Sequence, residues 1–78
     1  MQRKNKYYNL SRREMQVVKY LLRGFSNKEI ALVLGLSEDT VKEYLGNTFR
    51  KVKVNNRTAL AVKILLSVYR QKKNLSRL

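Results

Sequence analysis

Seventy-eight residues with no cysteine and no histidine leave no disulfides, no thiol chemistry and none of the commonest metal ligands, which closes most routes to an enzyme. Eighteen Lys and Arg stand against five acids, a net charge of +13, and a surface of that sign attracts polyanions by counterion release. Nucleic acid is the first candidate partner and an anionic membrane surface the second.

No apolar run is long enough to span a bilayer and no secretory signal pattern opens the chain, so a cytoplasmic protein is expected. Residues 1–9, MQRKNKYYN, are basic and without periodicity. They read as a flexible arm pinned to the domain edge by Tyr7 and Tyr8, with phosphate contacts through Arg3, Lys4 and Lys6 as the functional alternative. Ser11 and Glu14 then form an S-x-x-E capping box, with Leu10 at the staple position opposite Met15. Met15, Val18, Leu21, Leu22 and Phe25 predict one apolar stripe, with Tyr20 off it. Gly24 reads as the residue that ends this helix.

The device repeats at once. Ser26 to Glu29 is a second capping box, and Ile30, Ala31 and Leu34 predict the buried face of a short helix. Lys28 falls in its first turn, where the helix dipole disfavours a cation. A nearby phosphate is one reason for a Lys at that place; ordinary solvation is the other.

Gly35 and Leu36 make a tight turn, and Ser37 caps a longer helix running to Val52. Val41, Leu45, Thr48, Phe49 and Val52 share one face. Lys42, Glu43, Gly46 and Arg50 lie opposite, with Asn47 and Lys51 towards one flank. Helix, Gly-containing turn and second helix make a helix-turn-helix, whose second helix enters the DNA major groove. Lys42 can reach guanine O6 or N7. Four of the acids, Glu14, Glu29, Glu38 and Asp39, fall in first turns, where they favour the dipole. Glu43 is the exception, either an acceptor for a cytosine amine or a solvated residue. Gly46 costs ~1 kcal/mol inside a helix relative to Ala, so either close approach to DNA or drift accounts for it.

Asn55 and Asn56 suit a turn, and Asn56 can cap a fourth helix from Arg57. From Ala59 to Tyr69 only Lys63 and Ser67 interrupt an apolar run, which is apolar over roughly two-thirds of the helix circumference. Such a helix is buried on more than one side. Leu60, Ala61, Ile64 and Val68 are assigned to the monomer core. Thr58, Val62, Leu65, Leu66 and Tyr69 are assigned to a two-fold partner, an arrangement that sets two reading helices about one DNA turn apart on an inverted repeat. The folded domain is expected over residues 10–70 and a basic, fraying tail over 71–78. Four helices and no strand signal predict an all-α fold.

The blocks Leu10-Ser11-x-Arg13-Glu14, Gly24-x-Ser26-Asn27-Lys28-Glu29-Ile30-Ala31 and Leu36-Ser37-x-x-Thr40-Val41-Lys42 follow one another without a gap. With Lys51-Val52, Val54 and Arg57-Thr58 downstream, they resemble the LuxR-type (GerE-type) helix-turn-helix domain of bacterial transcription regulators, from Leu10 to about Leu65. The resemblance implies a four-helix domain that binds double-stranded DNA as a homodimer, its third helix in the major groove and its fourth at the dimer contact. It places Lys42, Glu43 and Gly46 where bases are often met, and Lys28, Thr40 and Lys51 where phosphates are. Asn47 joins the candidate base set and Arg50 the candidate phosphate set. Met15-Gln16, Tyr44 and Lys53 stand where the family often has Arg-Glu, His and Gly. Lys53 is expected to strain the end of helix three if a left-handed residue is needed there. Larger members carry an N-terminal receiver or small-molecule-binding domain; the basic arm beginning with Met favours a stand-alone regulator.

Three other readings compete. A sigma-factor region-four module shares the capped starts but commonly ends after its reading helix, and it predicts a stable complex with RNA polymerase. A partner-only protein would heterodimerise with another regulator. A membrane-surface peptide is disfavoured by three capped helices and by the few cations in the last one. No cofactor, metal or membrane is expected, and RNA polymerase is a further candidate partner.

Overall fold

Each helix begins where a side chain can accept from its first turn. The computed structural model describes residues 8–76, with side chains through Gln71, and contains α1 (Arg12–Leu22), α2 (Asn27–Leu34), α3 (Glu38–Val52) and α4 (Arg57–Ser76). Ser11 Oγ accepts from the Glu14 N–H at 3.1 Å while Glu14 Oε1 accepts from the Ser11 N–H at 2.8 Å. Ser26 and Glu29 reproduce the pair at the same distances. Ser37 Oγ accepts from Thr40 N–H at 3.1 Å, and Asn56 Oδ1 from Ala59 N–H at 2.8 Å. All four expected starts are present. The contacts expected of Arg3, Lys4, Lys6 and Tyr7, and the last two residues of the tail, lie outside the described residues.

The ends are as local as the starts. Gly24, at φ 88°, donates to Leu21 O at 2.9 Å, and Phe25 N–H donates to Tyr20 O at 3.0 Å. That pair of bonds is a Schellman motif, and its accompanying apolar contact is made by the Tyr20 and Phe25 rings, 5.1 Å apart. Tyr20 is therefore part of the packing, where the predicted stripe left it out. Gly35 ends α2 at φ 69°, and Lys53 ends α3 at φ 65°.

Lys53 thus occupies the left-handed conformation in which a side chain is disfavoured. Lys53→Gly is expected to stabilise the domain by about 1 kcal/mol, read from urea unfolding as a higher midpoint at unchanged slope. A lower midpoint would mean that the lysine side chain offsets its backbone strain.

All four helices feed one core, with Val17, Ile30, Val41, Val52 and Leu60 essentially sealed from solvent. On α1 the buried stripe is Glu14, Val17, Val18 and Leu21, with Met15 and Leu22 at its margin. Val17 replaces Met15 at the centre because α1 packs against α2, α3 and α4 together, so the line of deepest burial rotates away from the stripe that periodicity alone suggests. Thr48 is fully buried, and its hydroxyl donates to Tyr44 O at 2.8 Å. On α4, Leu60 and Ile64 enter the core with Ala61 packed beside them and Val68 half-buried, while Val62, Leu65, Leu66 and Tyr69 stay about half or more exposed. The helix continues to Ser76, into the stretch from residue 71 that was expected to form the tail.

Long-range hydrogen bonds tie α4 down. Arg57 donates from Nη1 to Asn27 Oδ1 at 2.7 Å and from Nη2 to Phe25 O, so the start of α4 grips the α1–α2 turn. Lys63 Nζ donates to Val52 O at 3.0 Å, satisfying a carbonyl at the end of α3. Tyr8 meets Ser67, Oη to Oγ, at 3.1 Å, and the Lys63 ammonium lies 5.9 Å from its ring centre. The expected pinning of the arm is made at Tyr8.

Candidate nucleic-acid interface

The core-facing residues of α3 fix which side of that helix remains outside. Lys42, Glu43 and Arg50 are exposed, and Gly46 and Asn47 are half-exposed. These five line one shallow groove. Helical side chains lean towards the helix N-terminus, so Arg50 lies back over the turn that holds Gly46 and Asn47. Its Nη2 donates to Asn47 Oδ1. A Cβ placed on Gly46 would meet only Arg50 Nη1, at 3.9 Å.

Thr40 stands at the entry to the same face. The Ser37 hydroxyl donates to Thr40 Oγ1 at 2.9 Å while Thr40 N–H donates back to Ser37 Oγ. The exchange fixes the Thr40 oxygen and leaves its own proton to donate elsewhere. Lys28 is exposed on the first turn of α2. Together Lys28 and Thr40 put a cation and a hydroxyl at the N-termini of two successive helices, where the dipoles also favour an anion.

Lys51, expected as a phosphate ligand, makes a contact within the domain that the sequence did not suggest. Its Nζ lies 2.8 Å from Glu14 Oε1 and 3.4 Å from Asn9 O, so in the free domain its charge ties α3 to α1. The Glu14 side chain is only 5% exposed. Burial pushes its carboxyl up, but the Lys51 hydrogen bond, the Ser11 N–H and the Lys51 charge together outweigh that and hold it below the usual value. Glu14 was read as a capping acid alone. The missed signal was its register: it sits three, four and seven residues before Val17, Val18 and Leu21, and a carboxylate on a buried stripe calls for a cation.

Among the described residues no cluster of acids is suited to a metal ion, and no helix is long and apolar enough to cross a membrane. What the surface presents is a capped reading helix with polar and cationic groups on its open side. A small helix-turn-helix domain built for contact with DNA is the class this geometry defines.

Comparison with known proteins agrees. Residues 8–64 match the profile of "Bacterial regulatory proteins, luxR family", and the chain belongs to that family as a DNA-binding regulator domain, not an enzyme. It is 51% identical over 53 residues to the response regulator protein TodT of Pseudomonas putida, covering 68% of this chain and 23% of that protein. It is 48% identical over 59 residues to the uncharacterized transcriptional regulatory protein YhcZ of Bacillus subtilis, covering 76% and 28%. The nitrate/nitrite response regulator protein NarP of Escherichia coli is 45% identical over 56 residues, covering 72% and 26%. The chain thus spans about a quarter of the length of these relatives.

Proposed function

We propose that this domain regulates transcription by binding an inverted-repeat site in duplex DNA as a two-fold dimer, with the N-terminal half of α3 in the major groove. The observation that carries the reading is the open face of α3: Lys42, Glu43 and Asn47 stand on one groove, with Thr40 at its N-terminal edge. Lys42 reaches guanine acceptors and Glu43 a cytosine amine, while Lys28 and Thr40 hold backbone phosphates and set the register. The exposed apolar half of α4 supplies the dimer contact. The relatives are named as response regulators or as a transcriptional regulatory protein, which supports a role in gene control; the cytoplasm as its location and RNA polymerase as a further partner belong to the same proposal.

Selection from random duplexes by the purified protein tests the reading. The expected product is an inverted repeat with half-sites about one helical turn apart. Lys42→Ala is expected to relax one base pair of each half-site by ~1–3 kcal/mol. Lys28→Ala is expected to weaken every sequence alike and flatten the salt slope by roughly one unit. A selected pool with no shared sequence would overturn the proposal.

A further inference from the structure

We infer that Arg50 reads a guanine in the major groove, by laying its guanidinium across Gly46 in place of a side chain at that position. The inference rests on the placing of α3 proposed above, and it gives Arg50 a base instead of the phosphate expected from sequence.

Position 46 lies one turn beyond Lys42 on the open face, and both line the same groove. Gly46 contributes no side chain of its own, and the Arg50 guanidinium borders the space where one would begin. Arg50 Nη1 lies 3.9 Å from where a Cβ would stand, with no other atom outside its own helical turn within 4 Å. A side chain reaching for a phosphate extends sideways from the helix towards the groove wall. Arg50 instead lies back along the helix, towards the half that enters the groove.

Asn47 holds it there. Its Oδ1 accepts from Arg50 Nη2, which leaves four of the five guanidinium N–H groups to donate. The Asn47 oxygen keeps a second lone pair, whereas the Arg50 fork has donors and no acceptor. That edge matches guanine, whose major-groove edge has the acceptors O6 and N7, and it mismatches adenine and cytosine, which present amine donors there. A planar fork already fixed by a neighbour loses less freedom on binding than a loose one. A Cβ at position 46 would still clear the fork, at 3.9 Å from Arg50 Nη1, but a longer side chain there would compete with it for the same space.

The test is competition binding with the full chain, on the site selected by the wild type and on single base-pair variants of it, at two or more salt concentrations. Arg50→Lys keeps the charge but not the fork. It is expected to leave the salt slope unchanged while lowering discrimination for guanine at one pair of each half-site about ten-fold. Gly46→Leu, which displaces the guanidinium, is expected to lose discrimination at the same base pair, with helicity by circular dichroism unchanged. If Arg50→Ala instead weakens all sequences equally and flattens the slope by about one unit, Arg50 is a phosphate ligand and the inference falls. If the wild type itself selects no preferred sequence, the groove placement of α3 fails first and takes this assignment with it.

Discussion

Leu65→Glu is expected to yield a folded, helical monomer whose affinity for a two-half-site operator is lower by about two to four orders of magnitude. Leu65 is 54% exposed on the same side of α4 as the exposed Val62, Leu66 and Tyr69. Leu65 itself is more than half exposed in the single chain, so a charge there costs the fold little. In a two-fold contact the same residue meets its own copy or its neighbours, and two desolvated carboxylates would face each other across a small interface. The loss is large because a dimer presents its second reading helix at a high effective concentration, and a monomer does not. Sedimentation at binding concentrations, circular dichroism and titration of one half-site and of the full repeat separate the causes. The half-site affinity should be unchanged. A variant that stays dimeric, or that unfolds, would move the contact elsewhere or return Leu65 to the core.

Five residues earlier on the same helix the outcome should reverse. Leu60 is fully buried, at the meeting of α4 with the other helices. Leu60→Ala is expected to destabilise the domain by about 2–5 kcal/mol through lost burial and the cavity left behind. Domains of this size have total stabilities of roughly 4–12 kcal/mol, so the variant should melt far below the wild type and be partly unfolded at moderate temperature. Thermal and urea unfolding at fixed protein concentration check it, since dimerisation would make both concentration-dependent. A loss under about 1 kcal/mol would show that α4 is not seated as described. Leu60→Ala acts on the fold and Leu65→Glu on assembly, and the contrast between them is a direct test of which half of α4 faces which neighbour.

The helix starts and most of the ends were legible in the chain. Ser11 with Glu14, Ser26 with Glu29, Ser37 with Thr40 and Asn56 with Ala59 each bond over three residues. The glycines at 24 and 35 end helices by a conformation that other residues resist. Lys53 was legible as a strained end only through the resemblance, since it stands where the family often has Gly, while alternation around α4 separated Leu60 and Ile64 from Val62, Leu65 and Leu66. The candidate reading face followed, because the positions not needed for the core on α3 were Lys42, Glu43, Gly46, Asn47 and Arg50.

Tertiary structure decided what lies across the chain. Lys51 and Glu14 are 37 residues apart, Arg57 and Asn27 are 30, and Tyr8 and Ser67 are 59. Which of α1's apolar residues is most deeply buried, Val17 and not Met15, depended on three helices pressing on it at once. Periodicity reports the direction of a side chain about its own helix axis to within a step of about 100°. It carries no record of what waits in that direction, and so the cation that became an internal tether and the cation left open on the reading face looked alike until the helices were packed.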